Sequence, residues 1–385
     1  MRKQHAVWAL AQILHLSCFL SSAVAQSTPS QAIALEQEGK LAEAAEAWRE
    51  VTRQNPQDAA AFASLGVVLS KQQKYAEAAS AYRKAVALNP KLPGMQLNLG
   101  LAEFKQGHFE AAIPPFKRAL SSNPDSEQAR ILLGFSYYAT KRFPEAARQL
   151  KAATEADPGN VELHHVLAQS CLWAKDYPCA LDEFRHVLQL DPESASAHML
   201  AGEALDGMQR TREAVVEFQA AAKAASAEPY VHFGLGYLYW KSHRYVEAKQ
   251  EFQSELSNDP KHAQSYAYLG DIEMKNNNLE SALTLLQKAI QLKGDLRVAH
   301  MDRGRILTQQ KRYDEAVAAF RRAIELDPAE PDAHYRLGRV YQVIGKTPDS
   351  QKEFAKVRQI HDTSDEDMVR KMSAGPPALS EEKTR

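Results

Sequence analysis

A glycine returns every 34 residues. Gly66 is followed at that step by Gly100, Gly134, Ala168, Gly202, Gly236, Gly270, Gly304 and Gly338, with no insertion in the run. Other columns keep the same step. One is small: Ala44, Ala78, Ala112, Ala146, Ala180, Ala214, Ala248, Ala282, Ala316 and Ser350. One is bulky: Trp48, Tyr82, Phe116, Leu150, Phe184, Phe218, Phe252, Leu286, Phe320 and Phe354. One is proline at 56, 90, 124, 158, 192, 260 and 328, with Ser226 and Gly294 in the two gaps. A fixed period of this size means a repeat array, in which each copy is one small unit stacked on the next. An array grows by addition, so 385 residues need not share one core.

Within each copy the apolar spacing is helical, twice over, with a short polar turn between. His232, Leu235, Gly236 and Tyr239 fall at i, i+3, i+4 and i+7, one face of a helix. The glycine admits the partner helix to near the ~8 Å end of the usual interaxial range. Ala248 is its small counterpart on the second helix, and Phe252 fills the space one turn on. Pro144, Pro178 and Pro348 stand where second helices begin, a position that suits proline. Each hairpin leaves an apolar face uncovered, so neighbours must stack. Pro114-Pro115 removes two donors inside one second helix, an irregularity that its first turns can tolerate.

These columns resemble the tetratricopeptide repeat, whose pattern runs W-x2-L-G-x2-Y, then A-x3-F, then P. Tyr266, Leu269 and Gly270 match the first part, as do Phe62, Leu65 and Gly66; Ala316, Phe320 and Pro328 match the second. Ten registers fit between Ala25 and Ser364. His164, His198, His232, His300 and His334 stand where the family favours a large aromatic. The resemblance implies an all-α, right-handed solenoid of helix-turn-helix repeats. It also implies a role in binding protein, with partner segments laid along a concave surface lined by the first helices.

Met1 to Ala25 reads as a secretory signal peptide. Arg2 and Lys3 form the charged start, Ala6 to Leu20 the apolar run, and Ala23-Val24-Ala25 the small-residue cleavage motif. The run is too short for a spanning helix and His15 interrupts it. Cys18 raises lipid attachment, but His15 stands where such sites want leucine, so cleavage after Ala25 is favoured. Cleavage moves the formal charge from −1 to −3, so there is no basic excess to draw nucleic acid. No later apolar run is long enough to insert the mature chain in a membrane. At the other end the array should stop near His361. Ser364 and Asp367 resemble a helix start, which predicts a short capping helix from 365 and then a disordered tail to 385.

No catalytic signature is present: no H-E-x-x-H, no G-x-x-x-x-G-K-[ST], no G-x-S-x-G. The unbroken register leaves no room for an inserted catalytic domain, so neither an enzyme nor a cofactor is expected. The five histidines of one register lie on the packing face. Helices spaced ~8–10 Å apart do not bring single histidines onto one zinc ion. Cys171 and Cys179 are the cysteines left after leader removal, one at the end of a first helix and one at the start of its partner. Export makes a disulfide between them possible; two free thiols, one buried and one exposed, is the alternative.

The functional lead is a stripe on each first helix, roughly 100° round from the packing stripe. It carries Leu97, Leu101, Phe104, Ile131, Phe135 and Tyr138 in the third and fourth copies. It carries Met199, Glu203 and Asp206 in the sixth, and Phe233, Tyr237 and Trp240, with Tyr230 just before, in the seventh. Asp271 and Met274 follow in the eighth, then Arg305 and Arg339. Aromatic side chains on such a face suggest a site for a protein or peptide partner, with Glu203, Asp206 and Asp271 steering it. Packing between adjacent copies is the alternative for the aromatics. The chain therefore reads as an exported, periplasmic or secreted, scaffold. The alternatives are an accessory subunit of an envelope assembly that uses its outer faces, or a metal protein or enzyme built on the histidines.

Overall fold

The computed structural model describes residues 28–373, with side chains described to residue 363. Among the described residues there are twenty α-helices and no strand. The leader read at residues 1–25 and the tail from residue 374 lie outside the described residues. The chain divides into two compact units, the first ending at Leu190 and the second beginning at Asp191.

The first unit holds α1 (Pro29–Gln37), α2 (Leu41–Gln54), α3 (Ala59–Lys71), α4 (Tyr75–Leu88) and α5 (Met95–Lys105). It continues with α6 (Phe109–Ser122), α7 (Glu127–Ala139), α8 (Phe143–Ala156), α9 (Val161–Trp173) and α10 (Tyr177–Leu190). The second holds α11 (Ala195–Gly207), α12 (Thr211–Ala224), α13 (Val231–Lys241), α14 (Tyr245–Asn258) and α15 (Ala263–Lys275). It continues with α16 (Leu279–Leu292), α17 (Arg297–Gln309), α18 (Tyr313–Leu326), α19 (Pro331–Val343) and α20 (Thr347–Ser373). Odd-numbered helices are the first helices of the hairpins. Within each unit a helix packs on its sequence neighbours, and first helices also touch across adjacent hairpins, as α15 touches α17.

The columns meet as their sizes require. Phe116, Phe184, Phe252 and Phe320 are almost fully buried against the small residue of the first helix. A methyl group placed on Gly236 would lie 2.9 Å from the Phe252 ring, so this contact needs hydrogen there. Each hairpin turn passes through one left-handed residue at a common register, filled by Gly39, Gly107 and Gly345 but elsewhere by Gln73, Lys141, Lys175, Gln209, His243, Asn277 and Lys311. One left-handed residue at a helix C-terminus closes the last turn and lets the chain reverse.

The histidine register ties the two helices of a hairpin to each other. His164, His198, His232 and His334 each place Nδ1 2.6–2.7 Å from the carboxylate nineteen residues on, at Glu183, Glu217, Glu251 and Glu353. His300 has Ala319 at that step, and its buried Nδ1 has no hydrogen-bond partner among the described residues. Cys171 and Cys179 are joined, with Cα atoms 5.8 Å apart, across the turn between α9 and α10. Helix α6 runs unbroken through Pro114 and Pro115 to Ser122. The capping helix expected from Ser364 is not a separate element. Helix α20 continues through it to Ser373, since no glycine or proline intervenes between Pro348 and Gly375. No helix among the described residues is long and apolar enough to cross a membrane.

Candidate functional site

In the first unit the stripe is spent on packing. Phe104 meets Phe109 and Phe116 edge-on, with centroids 5.2 and 6.5 Å apart. The Tyr138 ring leans on Phe143, and its hydroxyl donates to Gln169 Oε1 at 2.6 Å. Leu97, Leu132 and Tyr138 close over a cluster that includes Phe116 and Leu133. Leu101, Ile131 and Phe135 are likewise half-buried.

In the second unit it becomes an aromatic and charged surface. Tyr237 stacks on Trp240 with centroids 6.1 Å apart. Phe233, Tyr237 and Trp240 all touch Tyr268 of α15, at 5.9, 5.8 and 5.0 Å. Trp240 Nε1 donates to Asp271 Oδ2 at 2.6 Å. Asp271 also takes Lys275 Nζ at 2.6 Å, and that ammonium stands 5.5 Å from the Trp240 ring. These rings are therefore inter-repeat contacts with one edge open, each half-buried. Burial among such neighbours pushes the Tyr268 hydroxyl up to about 12.

The acidic residues do not all do what their spacing suggests. Asp271 is buried, with both oxygens engaged, so it is not a surface charge free to steer a partner. Asp206 accepts from Lys241 Nζ at 2.7 Å and Thr211 Oγ1 at 3.3 Å. Glu203 remains exposed, yet surrounding protein pushes its pKa up by desolvation. Met199 packs at the Ala195, Ala221 and Val231 cluster.

Tyr230 stands apart. Among the described residues it is the one non-glycine with positive φ outside the hairpin-turn register, at φ 67° and ψ 0°. Pro229 and Tyr230 are the central residues of a type II turn closed by Val231 N–H on Glu228 O at 3.3 Å. That turn wants glycine second, because a side chain at positive φ crowds the backbone. The strain is held by Glu255, a buried carboxylate on α14 that accepts from Tyr230 N–H at 3.3 Å and Phe233 N–H at 3.0 Å. The ring is 58% exposed and touches His262 edge-on at 5.5 Å.

At the other end, Arg305 and Arg339 lie with Lys275 and Arg336 around one cleft. Among the described residues no three of histidine, cysteine, aspartate and glutamate converge to hold a metal ion.

Family models for tetratricopeptide repeats match residues 30–93, 103–170, 201–263, 233–296 and 304–345, more than half of the chain between them. The chain belongs to the tetratricopeptide repeat family. Among curated proteins it is similar to DnaJ homolog subfamily C member 3 of Homo sapiens, 26% identical over 115 residues. That match covers 30% of this chain and 23% of the relative, so the chain spans about a quarter of that relative's length. Among solved structures, a chain of the APC/C hetero-tetramer Cut9-Hcn1 is 12% identical with TM-score 0.51, over 86% of this chain and 80% of that one. YrrB, described as a TPR protein with an unusual peptide-binding site, is 24% identical with TM-score 0.39, over 47% and 93%. Tetratricopeptide arrays are protein-interaction scaffolds, and as a rule not catalysts.

In this tetratricopeptide repeat chain, residue spacing found the stripe but missed what completes it. Tyr268 sits beside the motif residue Leu269 and reads as filler. His262 and Glu255 lie outside the first-helix stripe altogether. Asp302, facing Asp271, is raised to about 6 by burial first and by that neighbouring carboxylate next. A pair of acids one repeat step apart, less three, was the available signal.

Proposed function

We propose that this chain is an exported scaffold that holds an extended segment of a partner protein against the first-helix face of its second unit, with Tyr230 as the projecting handle. The observation that carries the reading is Tyr230 itself. A bulky residue in the left-handed region costs of order 1–3 kcal/mol and persists where surrounding structure over-determines it. Here a buried carboxylate is committed to holding it, and the ring it positions is left largely in solvent. Packing does not call for that arrangement, whereas presentation of an aromatic side chain does. Phe233, Tyr237 and Trp240 form the floor beside it, and Glu203 an exposed acid on the same stripe. Export is supported by the leader-like first 25 residues and by the Cys171–Cys179 pair, which suits an oxidising compartment.

Tyr230→Gly is the discriminating variant. It relieves the backbone, so the melting temperature should hold or rise. Site-specific photo-crosslinking from position 230 in the native envelope fraction should trap one partner, and capture of that partner should fall at least tenfold in Tyr230→Gly. Undiminished capture by the glycine variant rules out Tyr230 as the handle. A lowered melting temperature shows that the ring is core.

A further inference from the structure

An open cleft of about 500 Å³ runs across α15, α17 and α19 of the second unit. Its wall carries Met274, Lys275, Arg305, Tyr335, Arg336 and Arg339, and among the described residues no carboxylate lines it. Three of the four cations are tethered from outside the cleft wall. Lys275 Nζ reaches Asp271 at 2.6 Å, Arg305 reaches Asp302 at 2.9 Å, and Arg336 reaches Asp332 at 2.8 Å. Each of these arginines spends one nitrogen on its tether, so the guanidinium is oriented with donors to spare. Arg339 is exposed, and its Nη1 donates to the Tyr335 hydroxyl at 3.5 Å. Asp271 and Asp302 are buried, and Asp332, which is partly exposed, is paired with Arg336.

We propose that this cleft binds an acidic, extended stretch of the partner protein, its aspartate and glutamate carboxylates received by Arg305, Arg336 and Arg339. This rests on the scaffold reading above and names the chemistry of the segment. Planar guanidinium groups match carboxylates in two-point geometry, which a flexible lysine surface does not provide. Three first helices spaced ~8–10 Å apart are crossed by about six residues of extended chain at ~3.3 Å each. Carboxylates about three residues apart therefore reach successive helices. Tyr335, 45% exposed at the rim, and Met274 supply apolar surface between the charges.

The test is fluorescence anisotropy on the whole mature chain, with a labelled peptide of about a dozen residues rich in Asp and Glu. Its Asn/Gln counterpart and free sulfate serve as controls. The acidic peptide should bind at least tenfold more tightly than the amide peptide, with affinity falling as salt rises. Arg339→Glu, at an exposed position, should cost tenfold or more without moving the melting temperature; Arg305→Gln should cost a similar factor. Equal binding of the two peptides overturns the proposal, as does unchanged binding by Arg339→Glu. Displacement of the peptide by low millimolar sulfate overturns it too, since that marks a site for any small anion. If Tyr230-dependent capture persists while the acidic peptide fails to bind, this proposal falls and the scaffold reading stands.

Discussion

Helices α5 and α13 begin alike and are furnished differently. They stand four repeats apart at one register, and each starts two residues later than the other first helices from α3 onward, after a proline and a left-handed residue. At α5 that residue is Gly94, φ 73°, and the turn closes through Met95 N–H on Leu92 O at 3.4 Å. At α13 it is Tyr230, φ 67°. Around Gly94 the equivalent positions are Ala119, Leu97, Leu101, Phe104 and Leu132; around Tyr230 they are Glu255, Phe233, Tyr237, Trp240 and Tyr268. The first set needs no polar partner and packs as core. The second carries a buried acid, an indole-to-carboxylate bond and a strained turn, all of which must satisfy one another. One backbone thus supports a plain structural copy and a specialised one, and the difference lies wholly in side chains beside the packing columns.

The packing column itself should show no such difference. Gly134 and Gly270 face Leu150 and Leu286 at the same register, each with room for hydrogen alone: an added Cβ would come within 2.7 and 2.8 Å. Gly134→Leu and Gly270→Leu should each cost about 1–3 kcal/mol or more through overpacking. Melting followed by circular dichroism tests this; a mild effect at either site would show that the two units do not share the contact.

The cross-link belongs to the first unit alone, since Leu307 and Glu315 fill the equivalent positions of the second. Oxidised protein should show no free thiol at Cys171 or Cys179. Reduction should lower stability by about 2–3 kcal/mol, the low end expected for a short loop. Limited proteolysis should then cut near α9 and α10 first. Two reactive thiols in protein prepared from an oxidising compartment would break the contrast.

Asp302 sharpens it in the other direction, for Val166 stands at its register in the first unit. Its folded pKa near 6 lies above the ordinary carboxylate value, so between about 4 and 6 the folded state holds a proton that the unfolded state has lost. Stability from this group therefore rises as pH falls through 6. Asp302→Asn should be more stable than the parent at pH 7.5 by roughly 1–3 kcal/mol, and the gap should close by about pH 4. Paired melts across that range decide it; a gap that is constant with pH would show that Asp302 stays charged.

The smallest effect tests the comparison most directly. Gly94→Tyr places the strained residue where no carboxylate awaits it and should cost roughly 1–2 kcal/mol. Adding Ala119→Glu should recover part of that loss. No recovery would mean that Glu255 is not what sustains Tyr230.

Repeat count, the pairing of helices into hairpins and the meeting of glycine with its bulky partner were all legible in the 34-residue columns. Each depends on contacts inside one hairpin or between successive ones, at constant sequence separation, and a constant separation leaves a period. The family resemblance rested on those same residues, and so did the choice of the stripe. The lone pair Cys171 and Cys179 was legible too, as two thiols at one turn. The surface chemistry of the second unit was not. Asp271 reads as an exposed acid until α13 and α15 close on it, and Trp240 and Lys275 take its oxygens. Tyr230 reads as one more aromatic until the type II turn places it at positive φ. Glu255 carries no motif, and its role appears only when α14 brings it to the start of α13. The period alone determined the scaffold, because backbone packing repeats from copy to copy. Which polar side chains are buried, strained or left to face solvent was decided only by the tertiary structure, because that depends on neighbours that do not repeat.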